Sequence, residues 1–137
     1  MFMKGEYEFL SNFYPCTVQY NGLCFMNSEA AFQAQKCPER ALEFIHLNPS
    51  QAKHLGRRVQ LRPDWEEVKI RIMYEILESK FSNPELMKKL LQVEGEIVED
   101  NTWNDRFWGV CKGKGQNVLG KLLMDLRDRN KTMCSFI

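Results

Sequence analysis

Three proline steps constrain this chain more than any other feature. Cys37-Pro38, Asn48-Pro49 and Asn83-Pro84 each stop one helical pattern and open the next. A proline disfavours α geometry in the residue before it, yet fits the first turn of a helix, where its missing N–H is not needed. Much of the chain must therefore be short helices. Residues 29–36 read as a helix capped by Ser28, with Glu29 near the positive end of the helix dipole. Residues 39–47 form a second, with Ala41, Leu42 and Ile45 inward, and Asn48-Pro49 opens a third that ends about Gly56. A longer helix is expected over 63–81: Val68, Ile72, Glu75 and Ser79 fall on one side, but Trp65, Ile72, Ile76 and Phe81 spread apolar surface widely enough to pack on more than one side. Asn83-Pro84 opens a helix over 85–92 that buries Leu86, Leu90 and Leu91. A final helix spans about 116–129 on a stripe of Val118, Leu119, Leu122, Leu123 and Leu126.

Short β elements are expected before the helices. Residues 17–25 read as a hairpin around Asn21-Gly22, since Asn-Gly accepts the positive φ angles of a tight primed turn. Glu96-Ile97-Val98-Glu99 is a further strand candidate, and 100–114 is a loop. The sum is an α+β fold, mostly helical around a small β-sheet, in a single domain over 1–137.

Composition removes several classes. Hydrophobic residues at 44% are enough to offset the entropy of ordering, which excludes a disordered chain. Nineteen basic against eighteen acidic residues give +1, without the basic excess of a general nucleic-acid coat or polybasic membrane binder. No apolar run reaches the ~18–20 residues of a membrane span. The start lacks a charged segment followed by an apolar core, so no signal peptide is expected. Five cysteines, an odd number without CxxC, argue against a disulfide scaffold or zinc ribbon, and two histidines support no histidine-built metal site. A reducing cytoplasm and mostly buried free thiols are expected, with the exposure of Cys134 open.

Four groups of residues could carry chemistry. Glu29, Phe32, Gln33 and Lys36 share one helical stripe. Such a stripe is ordinarily a solvated face; its chemical alternative is a carboxylate and an amine facing a pocket, with Gln33 orienting a ligand. Asp100, Asn101, Asp105, Trp108 and Gly109 precede Lys112-Gly113-Lys114-Gly115, a basic glycine-rich loop that opens a helix. It lacks the spacing of a P-loop and is either an anion site or a mobile surface loop. Lys53, His54, Arg57 and Arg58 either hold a phosphate or complement a helix C-terminus. Trp65, Trp103 and Trp108 either stack on a base or pack in the core.

An ordered set of strings resembles the NADAR, or YbiA-like, family. It begins with Phe9-Leu10-Ser11-Asn12-Phe13-Tyr14-Pro15, then Ser28-Glu29, Phe32-Gln33-Ala34-Gln35-Lys36 and Ala52-Lys53-His54-Leu55-Gly56-Arg57. It continues with Trp65, Met73, Lys80-Phe81, Val98-Glu99, Asp105, Trp108-Gly109, Asn117, Leu119-Gly120, Leu123-Met124 and Arg127. One departure is Ala30-Ala31, where many members carry a His-Tyr or similar pair. The resemblance implies a compact, mostly helical α+β fold and an N-glycosidase that hydrolyses phosphoribosylamino intermediates of riboflavin biosynthesis. Alternatives are removal of ADP-ribose from guanine in nucleic acid, or a module that binds a nucleotide or ADP-ribose without turnover.

Cleaving an N-glycosidic bond builds positive charge at the ribose C1 and negative charge on the departing nitrogen, so it calls for a carboxylate and a proton donor. The resemblance makes Glu29 the carboxylate and Asp105 the second acid or ribose anchor. Lys36 is then the donor, a phosphate ligand or a Schiff-base amine. Lys53 and Arg57 would take the phosphate, and Trp65 and Trp108 the base. Asn12, Phe13 and Tyr14 would line the pocket mouth, and Gln33, Glu99, Gly109 and Asn117 would complete substrate binding. The implied partner is a small ribosyl phosphate, or ADP-ribosylated nucleic acid; no metal, redox cofactor or membrane is required. The oligomeric state is left open.

Overall fold

A computed structural model describes residues 1–135, with side chains as far as Thr132. The chain divides into two units, one running from Asn12 to Ser82 and the other joining Met1–Ser11 to the chain from Asn83 onward.

The first unit begins with the hairpin that Asn-Gly predicts. Strands β1 (Val18–Tyr20) and β2 (Leu23–Phe25) pair antiparallel, with Val18 opposite Phe25 and Tyr20 opposite Leu23. Asn21 and Gly22 take φ of 48° and 80°, as a primed turn requires. Among the described residues this is the only sheet, and the paired residues Val18 and Phe25 at one end of it are buried.

Helix α1 (Ser28–Ala34) follows, and all seven of its residues are buried. Its cap is Asn27 rather than Ser28: the Asn27 backbone is extended and its Oδ1 accepts from the Ala30 N–H at 2.7 Å. Ser28 already has helical geometry, so its hydroxyl cannot reach the orphan donors. Ala30, Ala31 and Ala34 are sealed from solvent, which lets neighbouring elements approach closely on that side. The segment after Pro38 is a 3₁₀ helix, Pro38–Phe44. Its repeat of three residues buries Ala41 and Phe44 and leaves Leu42 67% exposed, whereas the α spacing had placed Leu42 inward.

Helix α2 (Pro49–Gly56) opens with a full capping box between Asn48 and Gln51. Helix α3 (Trp65–Lys80) starts two residues later than its pattern suggests. The Asp64 carboxylate is held by Arg62, at 2.6 Å from Nε and 3.1 Å from Nη2, and makes no cap bond. Ile72, Met73, Ile76 and Leu77 are buried, and α3 packs on both α1 and β1, the two-sided arrangement expected. Ser79 clasps the hairpin: its Oγ accepts from the Gln19 N–H and donates to the Gln19 carbonyl.

The second unit opens with a bridge residue, Phe2, and a 3₁₀ turn, Gly5–Leu10, that buries Phe9 and Leu10. Helix α4 (Pro84–Gln92) is capped by Asn83 and buries Leu86 and Leu90, with Leu91 half-buried. The strand expected over 96–99 reduces to single bridges, Phe2 to Val98 and Asp100 to Val110, and the chain turns just before it at Gly95, where φ is 81°. Helix α5 (Val118–Ser135) packs on α4 through Leu119, Leu123 and Leu126. Buried Arg127 donates from Nη1 to the carbonyls of Val93 and Gly95, tying α5 to the exit of α4.

Cys37 and Cys111 are buried, Cys16 is half-buried and Cys24 exposed, all as free thiols. The side chain of Cys134 lies outside the described residues. Among the described residues no helix is long and apolar enough to cross a membrane.

Candidate active site

The stripe on α1 is not a solvated face. Glu29 is 8% exposed, Gln33 7% and Phe32 4%, and only Lys36, just past the helix end, is half-buried. Burying a carboxylate costs several kcal/mol unless it is compensated, so the groups that meet Glu29 on this buried helix matter. Gln33 Nε2 donates to Glu29 Oε1 over a long 3.4 Å, and the Glu29 N–H donates to the Asn12 carbonyl at 3.1 Å. Burial pushes the Lys36 ammonium below its ordinary pKa; Glu29 opposes that shift, while Arg57 and Lys53 add to it. One carboxylate and three cations are thus electrically coupled around the end of α1.

Aromatic rings wall this cluster. Phe32 and Trp65 lie 5.0 Å apart between centroids, and Lys36 Nζ stands 5.9 Å from the Trp65 ring. Trp65 is 6% exposed, so it forms the wall rather than an open stacking platform. Lys53 Nζ lies 5.6 Å from the exposed ring of Phe13. Arg57, one turn on, is exposed, and His54 meets Arg58 at the surface.

Buried polar atoms mark the same place. Among the described residues, Asn12 Oδ1, Ser28 Oγ and Gln33 Oε1 are buried without a hydrogen-bond partner. Orphaned buried acceptors are rare and costly, and all three belong to residues that touch or adjoin Glu29. Asn12 is otherwise held by its Nδ2, which donates to Met73 Sδ at 3.5 Å.

Tyr14 belongs to a different setting. Its ring lies 5.8 Å from Lys80 Nζ, with Phe81 at 5.2 Å. Lys80 is 1% exposed, and burial pushes its pKa down to about 8, partly offset by the Cys16 thiol. The candidate residues above do not include Lys80, although the spacing holds a signal: it continues the buried face of Met73, Ile76 and Leu77, where an apolar residue belongs.

The other predicted residues lie in the second unit, on a loop organised by Asn101. Its Nδ2 donates to the Asp105 carbonyl at 2.8 Å and to Glu99 Oε2 at 3.2 Å, while its Oδ1 accepts from the Asp105 N–H. Asp105 Oδ1 in turn accepts from the N–H groups of Phe107 and Trp108, so this carboxylate is engaged in shaping the loop. Trp108 is half-buried with its ring edge-on to Phe107, and Trp103 is exposed. Gly109 is required here: a Cβ would fall 1.6 Å from Glu99 Oε2 and 2.3 Å from the Glu99 carbonyl. Asn117 bridges from its side chain to the Ile97 carbonyl and the Glu99 N–H. The basic loop 112–115 does not present a free helix start for an anion. The N–H groups of Gln116, Asn117, Val118 and Leu119 already donate to the carbonyls of Arg106, Gly109, Phe107 and Trp108.

The α1 cluster brings a buried carboxylate and a half-buried amine together, and comparison with known proteins gives the family. The NADAR domain model matches residues 1–130. The N-glycosidase YbiA of Escherichia coli (strain K12) is 37% identical over 133 residues, covering 92% of this chain and 83% of that protein. The NMR structure of E. coli YbiA superposes with a TM-score of 0.83 at 34% identity, covering 97% of this chain and 85% of that one. The riboflavin biosynthesis protein VVA0006 of Vibrio vulnificus is 35% identical over 130 residues; this chain spans about a third (35%) of that protein's length. The chain belongs to the NADAR family. It is an enzyme of the N-glycosidase class, and its α+β fold is that of YbiA.

Proposed function

We propose that the enzyme hydrolyses the N-glycosidic bond of a phosphoribosylamino-pyrimidine or a closely related N-ribosyl phosphate. The observation that carries this is the burial of Glu29 beside an amine whose charge burial disfavours. Two relatives' names, N-glycosidase and riboflavin biosynthesis protein, support the reaction and the substrate class.

In this reading Glu29 faces the sugar's C1, stabilises the positive charge that grows there and takes a proton from the attacking water. Oxygen bonds to C1 as the C1–N bond breaks. Lys36, more acidic than an ordinary lysine, gives its proton to the departing nitrogen. Lys53 and Arg57 take the phosphate. The unpartnered groups of Asn12 and Ser28 meet sugar hydroxyls, and Gln33 steers Glu29. Phe13, beside Lys53, lines the mouth, and Trp65 forms an apolar wall. In the other unit, Glu99, Asp105, Gly109 and Asn117 hold the loop that carries Trp108 in shape. Asp105 then acts as the loop's holder rather than as a proton donor.

The test is to offer the purified protein a panel of N-ribosyl phosphates together with ADP-ribosylated guanine in DNA and RNA, and to follow free sugar by mass spectrometry. Release of ribose phosphate from the aminopyrimidine substrates is expected. Release only from the nucleic acids would replace the substrate class, and no release from any member of the panel would refute the reading.

A further inference from the structure

Gly56 ends α2, and its backbone is not in the left-handed region, so conformation does not call for glycine there. Glycine is also a poorer helix residue than alanine. What the position needs is room. A Cβ on residue 56 would lie 2.0 Å from Gln33 Oε1, 2.8 Å from Gln33 Cδ and 3.3 Å from Gln33 Cβ, so the whole Gln33 side chain lies against the bare face of this residue. The orientation of the carboxamide is fixed by chemistry. Its NH₂ end faces Glu29 Oε1, which only accepts, and this leaves Oε1 turned to Gly56, buried and without a hydrogen-bond partner.

We infer that Gly56 is a positioning residue for the reaction: the missing side chain seats the Gln33 amide, and the seated amide aims the Glu29 carboxylate. The inference rests on the N-glycosidase reading of Glu29. The orphaned carbonyl of Gln33 follows from this arrangement, because the side chain is held where it serves Glu29 rather than where both of its ends are satisfied. Any side chain at 56 displaces the amide, and Glu29 loses its hydrogen bond from Gln33. The Glu29 oxygens then move by a fraction of an ångström to an ångström, a scale at which catalytic geometry is commonly lost.

The experiment combines kinetics with a measurement that needs no turnover. Gly56→Ala should lower kcat about 100-fold while KM changes little and the thermal midpoint stays near wild type. Gln33→Ala should lower kcat by a similar factor, and the double variant Gly56→Ala/Gln33→Ala should be no worse than Gln33→Ala alone, since the clash has nothing left to displace. The double variant also guards against misfolding of Gly56→Ala, because it removes the crowding. In parallel, the side-chain amide resonance of Gln33 is assigned by its loss in Gln33→Ala. It should move as Glu29 titrates, and that movement should vanish in both Glu29→Gln and Gly56→Ala. An unchanged kcat and amide response in Gly56→Ala overturns the inference, as do single effects that simply add in the double variant. If the amide response behaves as described but no N-ribosyl substrate turns over, the seating stands and the reaction assigned to Glu29 fails.

Discussion

The two carboxylates that the sequence singles out beside a carboxamide, Glu29 and Glu99, are held in opposite ways. Glu29 belongs to a helix buried on every side, is met by Gln33 one turn away and depends on packing against a glycine of α2. Glu99 belongs to an irregular segment, is met by Asn101 two residues on and depends on a lattice of side-chain-to-backbone hydrogen bonds. In each place a side chain lies against a bare glycine, the Gln33 amide against Gly56 and the Glu99 carboxylate against Gly109. Packing fixes a residue through its neighbours' shape, so a buried polar group there is retained for what it does. A hydrogen-bonded loop fixes residues through one another, so a polar group there explains itself structurally.

That contrast can be broken by mutation. The largest effect belongs to Glu29→Gln. It keeps shape and burial while removing the charge, and should cost about 10³-fold in kcat with no loss of thermal midpoint. A variant that turns over at the wild-type rate would sink Glu29 as the key carboxylate.

Next is Lys80→Met, which separates a buried charge from a folding requirement. The folded chain holds the Lys80 ammonium down to about pKa 8, against 10.5 in an unfolded chain. The folded state therefore binds fewer protons across that window, and its stability rises with pH there, while the full cost of the buried cation is present below it. Lys80→Met should thus stabilise the protein at pH 7 by roughly 3 kcal/mol, a gain that shrinks toward pH 10. Cys16 couples to the same group, so denaturant titrations should be repeated in Cys16→Ala. An advantage that does not vary with pH would mean that packing, not charge, sets the difference.

Asn101→Ala should cost roughly 2 kcal/mol in chemical denaturation, since it orphans the Asp105 N–H and frees both residues that its amide holds. The smallest effect is expected of Asp105→Asn. The new side chain keeps the oxygen that accepts from Phe107 and Trp108, so stability should change by about 0.5 kcal/mol or less and kcat by only a few-fold. A loss of activity as deep as that of Glu29→Gln would return Asp105 to the role of an acid.

The elements were legible where the chain announces them in a few adjacent residues. Asn21-Gly22, Asn48-Pro49 and Asn83-Pro84 gave the hairpin, α2 and α4 with their caps, because turn and cap chemistry is local. Leu42, expected inward, is exposed because periodicity does not reveal whether a short helix turns every 3.6 residues or every three. The 96–99 strand shrank to a single bridge because how far a segment pairs is a property of the rest of the chain. Spacing put Glu29, Gln33 and Lys36 on one stripe but could not say what packs over it. A solvated face and a buried site share the same pattern, and the NADAR resemblance rather than periodicity chose between them. Lys80 escaped because a lone lysine in an apolar stripe reads as an interruption until its burial is seen.

The start of α5 has a consequence for dynamics. Its leading amides are tethered to the backbone of residues 106–109, so the segment that presents Trp108 and the opening turn of the last helix form one cooperative element. Deuterium uptake at Gln116 through Leu119 should rise and fall with the order of that segment, making the helix start a built-in reporter for whatever settles on the tryptophan.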